Sequence, residues 1–132
     1  MASSAPREGR VRVPIRWRDL DLLGHVNQSV YHELLEEGRG VLFARLEENS
    51  FPFVLVHNEL DYRNEVRRDH GHVEVISRVG HIGGKSVTIE ERIELPDGTV
   101  AAEGRSVLVA WDPAARTSRE LSSAERESLG AA

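Results

Sequence analysis

In residues 28–49, QSVYHELLEEGRGVLFARLEEN, the apolar side chains Val30, Tyr31, Leu34, Leu35, Val41, Leu42 and Leu46 recur at spacings of three, four and seven. Glu33, Glu36, Glu37, Arg39, Arg45 and Glu47 fill the positions between them. That period predicts one long amphipathic helix from Gln28 to about Asn49, with Asn27 as its N-cap. Gly38 and Gly40 interrupt it, each at a cost of up to roughly 1 kcal/mol against alanine. Such residues are kept where a helix lies close against a sheet, so strands are expected to wrap this helix.

Outward from the helix the pattern changes to period two. Upstream, Val11, Val13, Ile15 and Trp17 alternate with Arg10, Arg12, Arg16 and Arg18, a half-buried strand in which Pro14 favours an edge position. Residues 19–27, DLDLLGHVN, lose the alternation and form a loop into the helix. Downstream, Phe53–Tyr62, Gly71–Val79, Lys85–Leu95 and Thr99–Trp111 are strand-like runs, and Asp97-Gly98 between the last two signals a hairpin. A short helix begun by Ser122 or Ser123, with Glu125 closing a capping box, ends the chain. The order is strand, helix, then four strands on short connections. It predicts an α+β fold, an antiparallel sheet of about five strands around one helix, and not a parallel nucleotide-binding fold.

At 132 residues, of which 39% are hydrophobic, the chain suits one core. The expected division is a frayed segment 1–9, a single domain 10–122 and a tail 123–132. With no cysteine there is no thiolate nucleophile, disulfide or sulfur-ligated zinc, and a net charge of -5 argues against a general nucleic-acid binder. No apolar run reaches the roughly 18 residues of a membrane span, and the first residues lack the apolar core of a signal peptide, so a cytoplasmic protein without membrane contact is expected. Seven aromatic residues leave a mainly aliphatic core, which suits a domain that buries more surface in an oligomer.

The chemistry concentrates in the loop before the helix. Asp19, Asp21, His25 and Asn27 fall within nine residues, and a helix capped by Asn27 presents free backbone N–H groups near Gln28 and Ser29 at its positive end. A carboxylate beside such a terminus suits hydrolysis of an activated acyl group, by attack on the carbonyl or by deprotonating water. The plainer reading gives Asp19 and Asp21 to helix capping or Asx turns, and His25 to a hydrogen-bonded turn. His70-x-His72 lacks a third metal ligand, the glycines at 80–84 lack a strand-to-helix context, and the serines lack a nucleophile elbow. Neither a metal nor any other cofactor is expected.

Residues 16–27 (RWRDLDLLGHVN), Tyr31 and Glu36-Glu37-Gly38-Arg39 resemble the hotdog-fold acyl-CoA thioesterases, and more narrowly the 4-hydroxybenzoyl-CoA thioesterase-like branch. Leu60-Asp61-Tyr62, Gly84–Thr88 and Ala102–Asp112 resemble that family's later strands, so the likeness spans about residues 10–122. It implies a sheet wrapped around the helix, a dimer or tetramer joined through sheet edges, active sites at the subunit interface, and hydrolysis of acyl-CoA to free acid and CoA without a metal. Asp21 matches the family's catalytic acid and the N–H near Gln28 its carbonyl-polarising donor. Asp19 then orders the loop, His25 and Asn27 orient groups or water, and Glu36 bonds the loop or acts as a base from across the interface.

For the CoA phosphates the candidates are the rim arginines Arg63, Arg67 and Arg68, with Arg78, Lys85, Ser86 and Arg105 on or beside the later strands. The segment after Tyr62 departs from the family pattern by lacking its proline and early glycine, which bears on the pocket rim. Three rivals share this scaffold: a non-catalytic acyl-CoA or acyl-carrier binding module, a dehydratase or isomerase acting on an acyl thioester, and a purely structural oligomer.

Overall fold

The computed structural model describes residues 7–46 and 52–130. The first strand, β1, spans Glu8–Pro14, two residues earlier than the alternation suggests, and the main helix α1 spans Gln28–Ala44. Then follow β2 (Phe53–Tyr62), β3 (His72–Ile82), β4 (Ser86–Glu94), β5 (Val100–Asp112), the two-residue β6 (Thr117–Ser118) and the terminal helix α2 (Ser123–Ser128). All pairings are antiparallel in the order β1-β3-β4-β5-β2, with β6 on β5. This is the expected α+β arrangement, a sheet of five main strands curled around one helix, the hotdog fold.

Local signals explain most element ends. The Asn27 side chain accepts from the Ser29 N–H and starts α1, while Ser122 and Glu125 close the capping box of α2. Gly98, at φ +91°, turns the β4–β5 hairpin, in which the Leu95 N–H donates to the Thr99 carbonyl. α1 stops at Ala44, five residues short of the expected end: Arg45 and Leu46 donate to the carbonyls three residues back, the tightened last turn of a terminating helix. The rest of the expected helix, residues 47–49, lies outside the described residues, as do most of the expected frayed N-terminus (1–6) and residues 131–132.

Two apolar clusters fill the space between α1 and the sheet. One gathers Tyr31, Leu34 and Leu35 of α1 with Val66, Val73, Val75, Ile93 and Ala102, and the other gathers Leu42 and Leu46 with Val87, Ile89, Leu108 and Leu129. α1 packs mainly on β1 and β3. Aromatic pairs pin its two ends to β2: Tyr31 meets Tyr62 edge-on at 4.9 Å between ring centres, and Phe43 stacks on Phe53 at 5.3 Å. A β-carbon on Gly38 would lie 2.6 Å from both Ser77 Oγ and Val75 Cγ1, so this glycine lets helix and sheet approach. Gly40 faces open space, and the expectation of a close sheet contact fails there.

Beneath the middle of α1 the core is polar. Arg39, 8% exposed, donates from Nη1 to Glu91 Oε2 at 2.7 Å and to Ser106 Oγ at 3.1 Å, while the Ser106 hydroxyl donates to Glu91 Oε1 at 2.5 Å. The outer face of the sheet is charged. Arg78, Glu90, Arg105 and Glu59 stand in register across β3, β4, β5 and β2, with Arg78–Glu90 and Arg105–Glu59 paired.

A candidate active site at the start of the long helix

Between β1 and α1 the chain turns twice. Trp17–Asp19 form a 3-10 turn, after which Leu20 and Val26 pair as an antiparallel bridge around a tight loop. The loop closes on Asp21: its N–H donates to the His25 carbonyl at 2.8 Å, and its Oδ1 accepts from the N–H groups of Leu23 (2.9 Å) and His25 (3.2 Å). Gly24 takes φ +78°, a conformation that glycine adopts without a Cβ penalty. Asp21 Oδ2 has no hydrogen-bond partner among the described residues, so one carboxylate oxygen orders the loop and the other stays free.

The same loop is fastened to the segment after β2. Val26 N–H donates to the Val66 carbonyl at 2.8 Å, His25 pairs with Arg67 as a backbone bridge, and His25 Nε2 lies 3.1 Å from Glu65 Oε2. Asp21, His25, Val26, Gln28 and Tyr31 thereby share one open groove with Tyr62, Arg63, Asn64 and Glu65. At the head of α1 the Ser29 N–H goes to Asn27 Oδ1 and the Val30 N–H to the Asn27 carbonyl. Among the described residues nothing accepts from the Gln28 N–H, which leaves it as the free donor at the helix's positive end. Burial, with the nearby Tyr62, Asp21 and Glu65, pushes the Tyr31 hydroxyl above the usual tyrosine range, so it stays protonated.

Asp19 sits apart from this chemistry. It is 3% exposed, accepts from the Arg16 N–H at 2.8 Å and the Arg16 guanidinium at 2.8 Å, and its carbonyl takes the Asn27 N–H at 2.7 Å. Burial alone would raise its carboxyl, but the Arg16 hydrogen bonds and the charges of Arg16 and Arg18 hold it below the ordinary aspartate value. A depressed carboxyl stabilises the fold above the unfolded-state pKa of about 3.9 and loses that contribution as pH falls through the folded value. Asp19→Ala is therefore expected to lower Tm at neutral pH, with the gap to wild type closing below about pH 4; melting curves across pH check this.

The other sequence candidates scatter. Glu36 lies on the exposed side of α1, in a separate groove with Val13, Arg16, Glu33 and Glu37, and does not meet Asp21 within one chain. Arg63 pairs with Asp61 (3.6 Å) and Glu103 (3.4 Å), and Arg67 with Glu65 (3.1 Å) and Asp69 (2.9 Å), so chain carboxylates already balance both. Ser86 begins β4 and Lys85 precedes it, beside Gly83 and Ala110, at the opposite end of the sheet from the groove. Arg68 stands in a second 3-10 turn, with its Cζ 5.0 Å from the ring centre of Trp17. Trp17 itself is 73% exposed, against the inward position its alternation suggests, because the strand ends at Pro14. Glu65 and Asn64 are site components that no sequence signal marks; Tyr31 and Tyr62 stand in segments that carry the family likeness, but that they meet edge-on at the groove shows only in the fold.

A family model described as the thioesterase-like superfamily matches residues 15–128, which takes in the loop, α1 and every later strand. The chain belongs to the thioesterase-like superfamily. Among solved structures of similar fold, a thioesterase of Thermus thermophilus complexed with coenzyme A and zinc is 33% identical, with a TM-score of 0.83 over 92% of this chain and 90% of that one. A predicted thioesterase from Bacillus stearothermophilus is 28% identical, TM-score 0.82, over 92% and 93% of the two chains. YbaW, a probable thioesterase from Escherichia coli, is 26% identical, TM-score 0.78, over 92% and 96%. No curated protein matches the chain. Thioester hydrolysis is the activity this family supports at the general level. Among the described residues there is no group of three or more metal-ligating side chains, and no helix is long and apolar enough to cross a membrane.

Proposed function

We propose that the chain hydrolyses an acyl-CoA thioester to the free carboxylic acid and CoA, with Asp21 as nucleophile or general base. The observation that carries this reading is that Asp21, with Oδ2 uncommitted, and Gln28, with its N–H unclaimed among the described residues, line one groove. The thioester carbonyl accepts from the Gln28 N–H, where the helix terminus favours the developing negative charge. Asp21 then attacks the carbonyl carbon, giving an anhydride that water opens, or takes a proton from the water that attacks. Either route breaks the C–S bond and releases CoA as its thiol once the sulfur gains a proton. Asn27 holds the helix start, and His25, linked to Glu65, orients the loop or a water.

Coenzyme A is the proposed carrier because the Thermus thermophilus relative was solved with it bound. The apolar part of the groove, Val26, Tyr31 and Tyr62, fits an aromatic or a short to medium aliphatic acyl group. The working form is a homo-oligomer built on a dimer. Among the described residues β2 is the last strand of the sheet, with no strand on its outer edge and with Val54, Leu55 and Val56 exposed. A bare edge of this length is a ready template for a second copy. Two-fold pairing of β2 with itself runs antiparallel, which brings the Lys85–Ser86 end of one subunit beside the groove of the other. That is how Lys85 and Ser86 would reach the CoA phosphates, and Glu36 the reaction, from the partner. A chain without cysteine suits the reducing cytoplasm.

One observation favours the second reading, an acyl-CoA or acyl-carrier binding module: Asp21 Oδ1 has a complete structural role as the loop's acceptor. The readings separate in a thiol-release assay on acyl-CoAs from acetyl to palmitoyl, with benzoyl, phenylacetyl and hydroxybenzoyl. Hydrolysis is expected to yield thiol and acid in equal amounts from at least one class. Saturable binding without acid release across the panel would assign the binding module instead.

A further inference from the structure

We propose that Trp17 and Arg68 form a seat for the adenine nucleotide end of CoA, the indole stacking on the base and the guanidinium meeting a phosphate. The inference rests on CoA as the carrier and assigns its far end to two side chains outside the groove. Trp17 is a large aromatic residue displayed to solvent, 73% exposed, on the turn that leads into the Asp21 loop. Arg68 lies over it at 5.0 Å. Arg68 also differs from its neighbours on the rim. Arg63 and Arg67 each have two carboxylate partners, whereas among the described residues no carboxylate lies within ion-pair distance of Arg68. Its charge is uncompensated in a chain of net charge -5, which gives an anionic ligand a local positive point.

The two side chains are fixed to the site by backbone pairing. Trp17 precedes the Leu20–Val26 bridge, and Arg68 follows Arg67, whose backbone pairs with His25. They flank the loop without lining the groove, so a thioester seated at Asp21 leaves them to the distant part of its carrier. An aromatic face takes a base of any identity, and a planar guanidinium suits a phosphate.

The test compares one acyl group on two carriers, CoA and N-acetylcysteamine, which lacks the nucleotide. Trp17→Ala and Arg68→Ala are expected to raise KM for the acyl-CoA roughly tenfold and to leave KM for the truncated thioester and both kcat values within about twofold. Arg68→Lys, which keeps the charge and loses the fork, is expected to fall between. Equal changes on both carriers, or none on either, would overturn the seat. A second readout needs no turnover: with Trp111→Phe, the chain's other tryptophan is removed, and adenosine 3',5'-bisphosphate should quench Trp17 fluorescence to saturation. Arg68→Ala should move that quench to roughly tenfold higher ligand concentration. Saturable quenching without hydrolysis of any thioester keeps the seat and sinks the hydrolase reading. Hydrolysis with neither a quench nor a KM split sinks the seat alone.

Discussion

Asp21→Asn lowers kcat by at least about a hundredfold, the scale of losing a general base, with the fold and oligomer unchanged. The asparagine oxygen still accepts from the Leu23 and His25 N–H groups, as Asp21 Oδ1 does, so the loop keeps its closure. The amide nitrogen that replaces Oδ2 can neither attack a carbonyl nor accept a proton from water. The substitution therefore separates the structural half of Asp21 from the chemical half. Asp21→Ala removes both and should also lower Tm, which makes it the less informative variant. Steady-state thiol release with circular dichroism on the same samples checks the expectation. A kcat near wild type in a folded Asp21→Asn protein removes Asp21 from the chemistry.

Arg39→Met is the change expected to cost most in stability, about 3–5 kcal/mol, because it leaves Glu91 buried without its partner. The Glu91 side chain is 1% exposed and the Arg39 side chain 10%, and α1 lies over the sheet at this point through their contact. Burial pushes the Glu91 carboxyl above its ordinary range despite the Ser106 hydroxyl and the Arg39 guanidinium, so desolvation outweighs the pairing. A raised carboxyl contributes stability that is full below the unfolded value and is lost as pH rises through the folded one. With Arg39 gone the carboxyl rises further. The Arg39→Met deficit should thus be largest at neutral pH and shrink on acidification. Urea unfolding at several pH values measures it, and the double variant Arg39→Met with Glu91→Leu should recover most of the loss, since apolar residues of similar volume often replace a buried pair at little cost. A deficit independent of pH, or one the double variant leaves intact, would show that packing and not the ion pair carries the effect.

What the sequence discloses here is what neighbouring residues decide. Asn27 as cap, the phase of Val30, Tyr31, Leu34 and Leu35, the Asp97-Gly98 hairpin and the Ser122–Glu125 box all depend on contacts within a few residues, and each appears where expected. The alternation before the loop is informative as far as Pro14. It misplaces Trp17, since a 3-10 turn reorients a side chain that period two would send inward. The site itself is half legible. Asp21, His25 and Gln28 meet because one loop carries them, whereas Glu65, Asn64 and Tyr62 join them across 30 or more residues through the Val26–Val66 and His25–Arg67 pairings. The rim arginines show the limit most plainly. Arg67 is balanced by its near neighbours Glu65 and Asp69, and Arg63 by Asp61 and the cross-strand Glu103, whereas the turn that sets Arg68 over Trp17 leaves it, among the described residues, without a carboxylate at ion-pair distance.

The most direct measurement takes one acyl-CoA that wild type turns over and follows both its binding and its hydrolysis by Asp21→Asn. The predicted result is affinity close to wild type with thiol and acid release slower by at least about a hundredfold. Turnover close to wild type would contradict the account.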